Sequence, residues 1–263
     1  MKAKTNIPTL AAASAALLIV AGNGFTADAN DDPWRFAVTV PLWAPAISGD
    51  VTVRGRKADV DVDFGDLADH LDAALSLGLE LRKRNYGFNG DFGYMKFSAD
   101  ASGPRGSSGD ADLKFIVANA GGFFRLVDTG GENSFILELT AGLRYWYVGT
   151  GLELTGPLGN VEVDSSDIKR LYDPVAGLRG SHYLTRKLHL DFQGDVGGFG
   201  ISHDSSDLTW SAAGLLSYDI ARWFTLSGGY KALAIDKSDG SGTSEHGVDI
   251  IFHGVLIAAK FSF

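Results

Sequence analysis

The stretch Leu188-His189-Leu190-Asp191-Phe192-Gln193-Gly194-Asp195-Val196 decides the fold. Its large apolar residues, Leu188, Leu190, Phe192 and Val196, share one parity, and His189, Asp191, Gln193 and Asp195 share the other. A period of two puts the sets on opposite faces of an extended strand, whereas a helix would spread both around its circumference. Such a strand needs an apolar medium on one side and a polar one on the other.

The pattern recurs along the chain. In Phe135 to Tyr147 the apolar face is Phe135, Leu137, Leu139, Ala141, Leu143, Tyr145 and Tyr147, opposite Glu138, Thr140, Gly142 and Arg144. Leu75, Leu77, Leu79 and Leu81 alternate with Ser76, Gly78, Glu80 and Arg82. At the end of the chain Ile251, Val255, Ile257, Ala259, Phe261 and Phe263 share a face, opposite Gly254, Ala258, Lys260 and Ser262, and His253 is the exception on the apolar side. Ten segments read this way: 34–44, 73–83, 86–98, 111–126, 134–148, 174–184, 187–200, 207–220, 223–235 and 249–263.

Beyond residue 29 no run reaches the roughly 18 apolar residues of a membrane helix, so a membrane location requires a closed barrel. A strand of about 11 residues, rising about 3.3 Å each and tilted by about 40°, covers close to 28 Å. The pattern therefore predicts an all-β fold: a closed antiparallel up-and-down transmembrane β-barrel of about ten strands, with eight or twelve as alternatives. Tyr and Trp near segment ends, among them Trp34, Trp43, Tyr86, Tyr94, Tyr145, Tyr147, Trp210, Tyr218 and Trp223, suggest two girdles at the boundaries of the apolar band.

The connections alternate in character. Lys83 to Asn85, Val127 to Asn133, Thr185 to Arg186 and Ala221 to Arg222 are short. Pro45 to Asp72, Ala99 to Asp110, Gly149 to Asp173, Ile201 to Ser206 and Asp236 to Val248 are mostly longer and rich in Gly, Ser and Asp. Outer-membrane barrels sort short turns to the periplasmic side and long loops to the outside in this way. The longest loop, 45–72, has internal order: Val51 and Val53, a Gly55 turn, then Asp59, Asp61 and Asp63 alternating with Val60 and Val62. It predicts a hairpin above the membrane and a short helix near Asp66 to Asp72, with Leu67 and Leu71 on one side. Alternate carboxylates on a strand lie about 6.5 Å apart, too far to share one ion, so the acidic face is predicted to be solvated.

Lys2 and Lys4 precede an apolar stretch from Ile7 to Ala21 and the small-residue sequence Ala27-Asp28-Ala29. This reads as a signal peptide over 1–29, leaving one barrel domain over 30–263. That domain has 234 residues, with 21 basic against 31 acidic side chains, a formal charge of −10 that excludes nucleic acid as an expected partner. Cysteine is absent, which removes thiolate chemistry and disulfide staples alike.

The opening WRFAVTVPLWAPAISGDVTVRGRKADVDVDFGDLADHLD (34–72) and the closing GVLIAAKFSF (254–263) resemble small bacterial outer-membrane barrels, the broad OmpW-like and opacity-like group, in a largely uncharacterised subset. The resemblance implies an outer-membrane location among lipids and lipopolysaccharide. It also implies a carboxy-terminal assembly signal at Ala259, Phe261 and Phe263, with Ile257 before it, read by the barrel-assembly machinery.

Inward positions carry both signs of charge: Arg35, Glu80, Arg82, Asp91, Glu138, Arg144, Arg179, Asp191, Asp195, Asp219, Lys231 and Lys260. In a narrow barrel these are expected to pair and fill the lumen; a narrow polar conduit is the alternative. No catalytic residue, metal site or cofactor fingerprint is assigned, and the expected role is a non-enzymatic one in envelope structure, surface contact or passive passage of small solutes. The competing reading is a surface hydrolase using His203, with Asp204 to Asp207 beside it, or Glu245-His246.

Overall fold

The computed structural model describes residues 33–102, 108–155 and 161–263. The expected signal peptide lies outside these residues. Each alternating segment is a strand: β1 (Arg35–Val53), β3 (Leu71–Lys83), β4 (Tyr86–Ser102), β5 (Ser108–Asp128), β6 (Phe135–Thr155), β7 (Val161–Tyr183), β8 (Leu188–Gly198), β9 (Leu208–Ala221), β10 (Phe224–Asp239) and β11 (His246–Ser262). An additional strand, β2 (Arg56–Val62), and a helix, α1 (Phe64–Asp69), lie between β1 and β3. Neighbours pair antiparallel in chain order, and β1 pairs with β11 from Ala37–Ser262 to Val53–His246, which closes a ten-stranded up-and-down barrel.

Parity sets the two faces. Leu79, Phe88, Leu143, Leu178, Leu190, Leu216 and Ile257 are exposed on the outer face. Their neighbours in sequence point into the lumen, where Glu138, Arg144 and Trp146 are buried. Below, Trp34 meets Tyr86 edge-on, Phe36 stacks on Phe263, and Trp223, Phe224 and Phe261 stack together, forming a girdle at one rim. Trp43 departs from the girdle expectation. It has the inward parity of β1 and packs against an internal apolar cluster.

The upper strands run further than the polar sequence suggested. Much of 99–110 and 149–173, expected as loops, is paired: Ser98–Ser102 with Ser108–Asp112, and Gly149–Thr155 with Val161–Ile168. Glycine, serine and aspartate end the apolar band, but backbone hydrogen bonds continue past it, because the ladder is made by main-chain groups and does not depend on side-chain polarity. Pro45 likewise does not end β1, which continues into a hairpin with β2 across the two-residue turn Arg54-Gly55. Both turn residues have positive φ, 52° and 70°, as a tight hairpin of this twist requires. The Asp63 side chain accepts from the Asp66 amide and caps α1.

The wall has one irregular seam. β1 pairs with β3 only from Arg35–Arg82 to Thr39–Gly78, and the same edge of β1 is taken up again by β2 at Ile47–Val62. From Val40 to Ala46 this edge has no ladder partner among the described residues, while the facing part of β3 is paired with β4 alone. Phe36 exchanges both backbone hydrogen bonds with Phe263, so even-numbered residues of β1 bond toward β11 and odd-numbered ones face β3. Pro41 and Pro45 are therefore on the unpaired edge, where proline has no N–H to offer. Of the three odd positions inside the opening, only Trp43 retains a backbone donor.

Candidate functional site

The lumen is filled in three layers. Lowest is a carboxylate–guanidinium cluster on β3, β5, β6 and β7. Glu138 accepts from Arg82 through both carboxylate oxygens and from Arg179 at 2.8 Å, and Arg125 reaches it at 3.4 Å. Glu80 pairs with Arg82 at 3.1 Å and with Arg179 at 2.9 Å. Both guanidiniums lie over the Phe123 ring, at 4.5 and 4.0 Å from its centroid, so the cluster is anchored on an aromatic floor. Beside it, His189 bonds Asp191 at 3.0 Å and lies 3.6 Å from Asp219, while Ser181 and Ser217 donate to Asp191 at 2.5 Å each.

The middle layer centres on Arg144. It donates to Asn119 at 2.9 Å, Thr209 at 3.0 Å and Asp195 at 2.7 Å, and Ser211 also donates to Asp195. Asn119 in turn donates to Asp91 at 2.7 Å. A cavity of about 40 Å³, room for one or two waters, lies between these two layers and is lined by Asn89, Asp91, Arg179, Gln193 and Asp195. Asn89 Oδ1 and Arg179 Nη2 are buried here with no partner among the described residues.

The upper layer is apolar. Ile47, Phe115, Val117, Trp146, Leu171, Leu233, Ile235 and Phe252 form one buried cluster, with Trp43, Met95 and Leu67 of α1 packed against it. The Trp146 indole donates to Asp173 at 2.9 Å, and Asp173 also accepts from the Ser206 amide at 2.7 Å, which ties the β8–β9 connection to this layer. Lys231 extends into the boundary between the middle and upper layers. Its ammonium lies 5.1 Å from the Trp43 ring centroid, and it has no ion pair among the described residues.

Of the predicted lumen residues, the structure brings together Glu80, Arg82, Glu138 and Arg179, and separately Arg144 with Asp195 and Asp191 with Asp219 through His189. Arg35 lies exposed at the lower mouth. The inward set read from the sequence leaves out Arg125, Asn119 and Ser211, which have the same parity, and His189 is placed there on the polar face without its partners Asp191 and Asp219. The closing residues Phe261 and Phe263 lie in the lower girdle, and Ala259 pairs with Val40 and Leu226. His203 and His246 are exposed above the barrel.

His253, the polar exception on the outer face, has partners on both neighbouring strands. Its Nε2 lies 3.0 Å from Ser48 Oγ on β1, and its Nδ1 lies 2.7 Å from the Tyr230 hydroxyl on β10. All three have outward parity and stand at the top of the apolar band. Just above them, Asp236, Asp249, Asp50 and Asp59 fall in one register row across β10, β11, β1 and β2. Burial and then the charges of Asp249 and Asp207 raise the Asp236 pKa above the usual carboxylate range, while Lys57, at 2.5 Å, holds that of Asp50 below it.

No known family profile matches the chain. No curated protein matches it in sequence. Among solved structures it is similar to Ail, the attachment invasion locus protein of Yersinia pestis, seen in complex with the heparin analogue sucrose octasulfate (12% identity, TM-score 0.37, 88% of this chain and 99% of that one). It is also similar to the translocator domain of the autotransporter NalP from Neisseria meningitidis (14%, 0.47, 88% and 89%) and to the P. putida toluene transporter TodX (8%, 0.29, 88% and 90%). At these identities the likeness is one of barrel fold.

Proposed function

We propose that the protein is an outer-membrane barrel without enzymatic activity whose lumen is closed to water-borne solutes, and which serves the envelope by its structure and its surface. The observation that carries this reading is burial inside the lumen: Glu138, Arg144 and Trp146, one from each layer, are 3, 2 and 1% exposed. A hydrophilic conduit needs charged lining groups that face water, whereas Glu138 faces Arg82 and Arg179, and Arg144 faces Asp195. The outer lipids and lipopolysaccharide are the surroundings this reading assigns, with the assembly machinery engaging Ala259, Phe261 and Phe263 during insertion. The test is planar-bilayer conductance of the refolded protein. No steady openings are expected at moderate voltage, and a reproducible ohmic step would refute closure.

The Ser48–His253–Tyr230 arrangement favours a second reading, ester cleavage at the outer wall. Ser48 would be the nucleophile, His253 its base and Tyr230 the group that holds the imidazole. On the first reading the same bonds satisfy polar groups at the edge of the apolar band, and a fluorophosphonate probe leaves Ser48 unlabelled. Labelling that disappears in His253→Ala would overturn the non-enzymatic assignment.

A further inference from the structure

The seam between β1 and β3 has features that a merely imperfect ladder does not explain. It is bounded below by the Thr39–Gly78 pair and above by Val62 and α1, so it is a slot in the wall about seven residues, or roughly 23 Å, long. Unpaired backbone facing hydrocarbon is costly, and Pro41 and Pro45 remove two of the three donors that β1 would otherwise leave there. The opposite edge presents Ala74 and Ser76 on the inward parity, with Ala73 and the exposed Leu75 and Leu77 on the outward one. The slot leads to Trp43 and, behind it, to the apolar cluster of the upper layer.

Two polar groups stand at its inner end without a partner suited to them. The Trp43 indole N–H is buried and makes no hydrogen bond among the described residues. The Lys231 ammonium sits over the same ring. The opposite charges that act on it, Asp91 and Asp195, are already engaged by Asn119 and by Arg144 with Ser211. Lys231 reaches Trp43 across β11 at Gly254, the residue in register with both Lys231 and Pro45. A Cβ at Gly254 would lie 1.9 Å from the Ala44 carbonyl oxygen, so the close approach of strands at this point requires glycine.

We infer that this slot binds a single-chain fatty carboxylate from the outer leaflet, with the carboxylate held by Lys231 and the Trp43 indole N–H and the hydrocarbon tail lying in the opening between β1 and β3. One cation and one N–H match the two oxygens of a carboxylate in a charge-assisted contact. The opening accepts the tail without requiring it to leave apolar surroundings. A neutral alcohol of the same length gains the tail contacts and loses the ionic one. This site goes beyond the closed-lumen reading, since it needs no path for water.

The test uses the full barrel in lipid nanodiscs, titrated with radiolabelled dodecanoate and dodecanol and corrected with empty discs. One saturable equivalent of dodecanoate per barrel is expected. Lys231→Met should weaken it about tenfold or more, the equivalent of ~1.4 kcal/mol, and leave dodecanol unchanged. Trp43→Phe keeps the ring and loses the N–H, and should weaken dodecanoate by a smaller factor. If Lys231→Met does not fold, as judged by loss of the mobility shift between unheated and boiled gel samples, Trp43→Phe decides alone. Absence of saturable binding, equal affinity for the alcohol and the acid, or wild-type affinity in the folded variants would each overturn the site. Absent binding does so whether or not the barrel conducts, so the two readings fail independently.

Discussion

Glu138→Ala should destabilise the barrel by about 3–5 kcal/mol, the cost of removing one partner from a buried ionic cluster. The wild-type carboxylate accepts from three arginines, Arg82, Arg125 and Arg179. Among the described residues, alanine leaves Glu80 as the carboxylate paired with Arg82 and Arg179, whose guanidinium-bearing side chains are mostly buried. The loss is larger than the favourable worth of the pairs themselves, because the penalty comes from unpaired charge. Glu138→Gln, which keeps an acceptor oxygen, should cost less. Urea unfolding in lipid vesicles measures both, and a loss below about 1 kcal/mol for alanine would show that water reaches this layer.

Trp146→Ala should cost a similar amount, about 3–5 kcal/mol, for a different reason. The ring is 1% exposed and packs edge-on against Phe115 at 5.7 Å between centroids, so its removal leaves a void that a closed wall of strands cannot collapse to fill. The Asp173 carboxylate would also lose its indole donor. The void joins the upper layer to the middle one, so the same variant should show flickering conductance where the wild type is silent. Unchanged stability with unchanged silence would mean that the upper layer repacks freely.

Strand existence and facing were legible because the chain alternates cleanly where a medium differs on its two sides. Leu190 and Asp191 need no context to be assigned to opposite faces. Above the apolar band that contrast disappears, and with it the signal, so the paired extensions of β6 and β7 read as loop. The lumen charges could be placed by parity, but their partners could not. Glu138 and Arg82 are 56 residues apart and meet only across the closed barrel. Trp43 was misplaced for the opposite reason: an aromatic near a predicted strand end resembles a girdle residue, and only the continuation of β1 to Val53 shows that it lies mid-strand. His253 stood out at once as a polar residue on the wrong face, while its partners Ser48 and Tyr230 needed the register of three strands to be found.

Pro41 and Pro45 have a consequence for kinetics. A breach held apart by fluctuation can heal, and passage through it then waits on a slow rearrangement of the wall. Here two of the three donors of β1 are missing from the covalent chain, so thermal motion cannot zip the two edges into a full ladder. An opening that cannot fully close should admit a ligand at a rate set more by diffusion in the bilayer than by rearrangement of the wall.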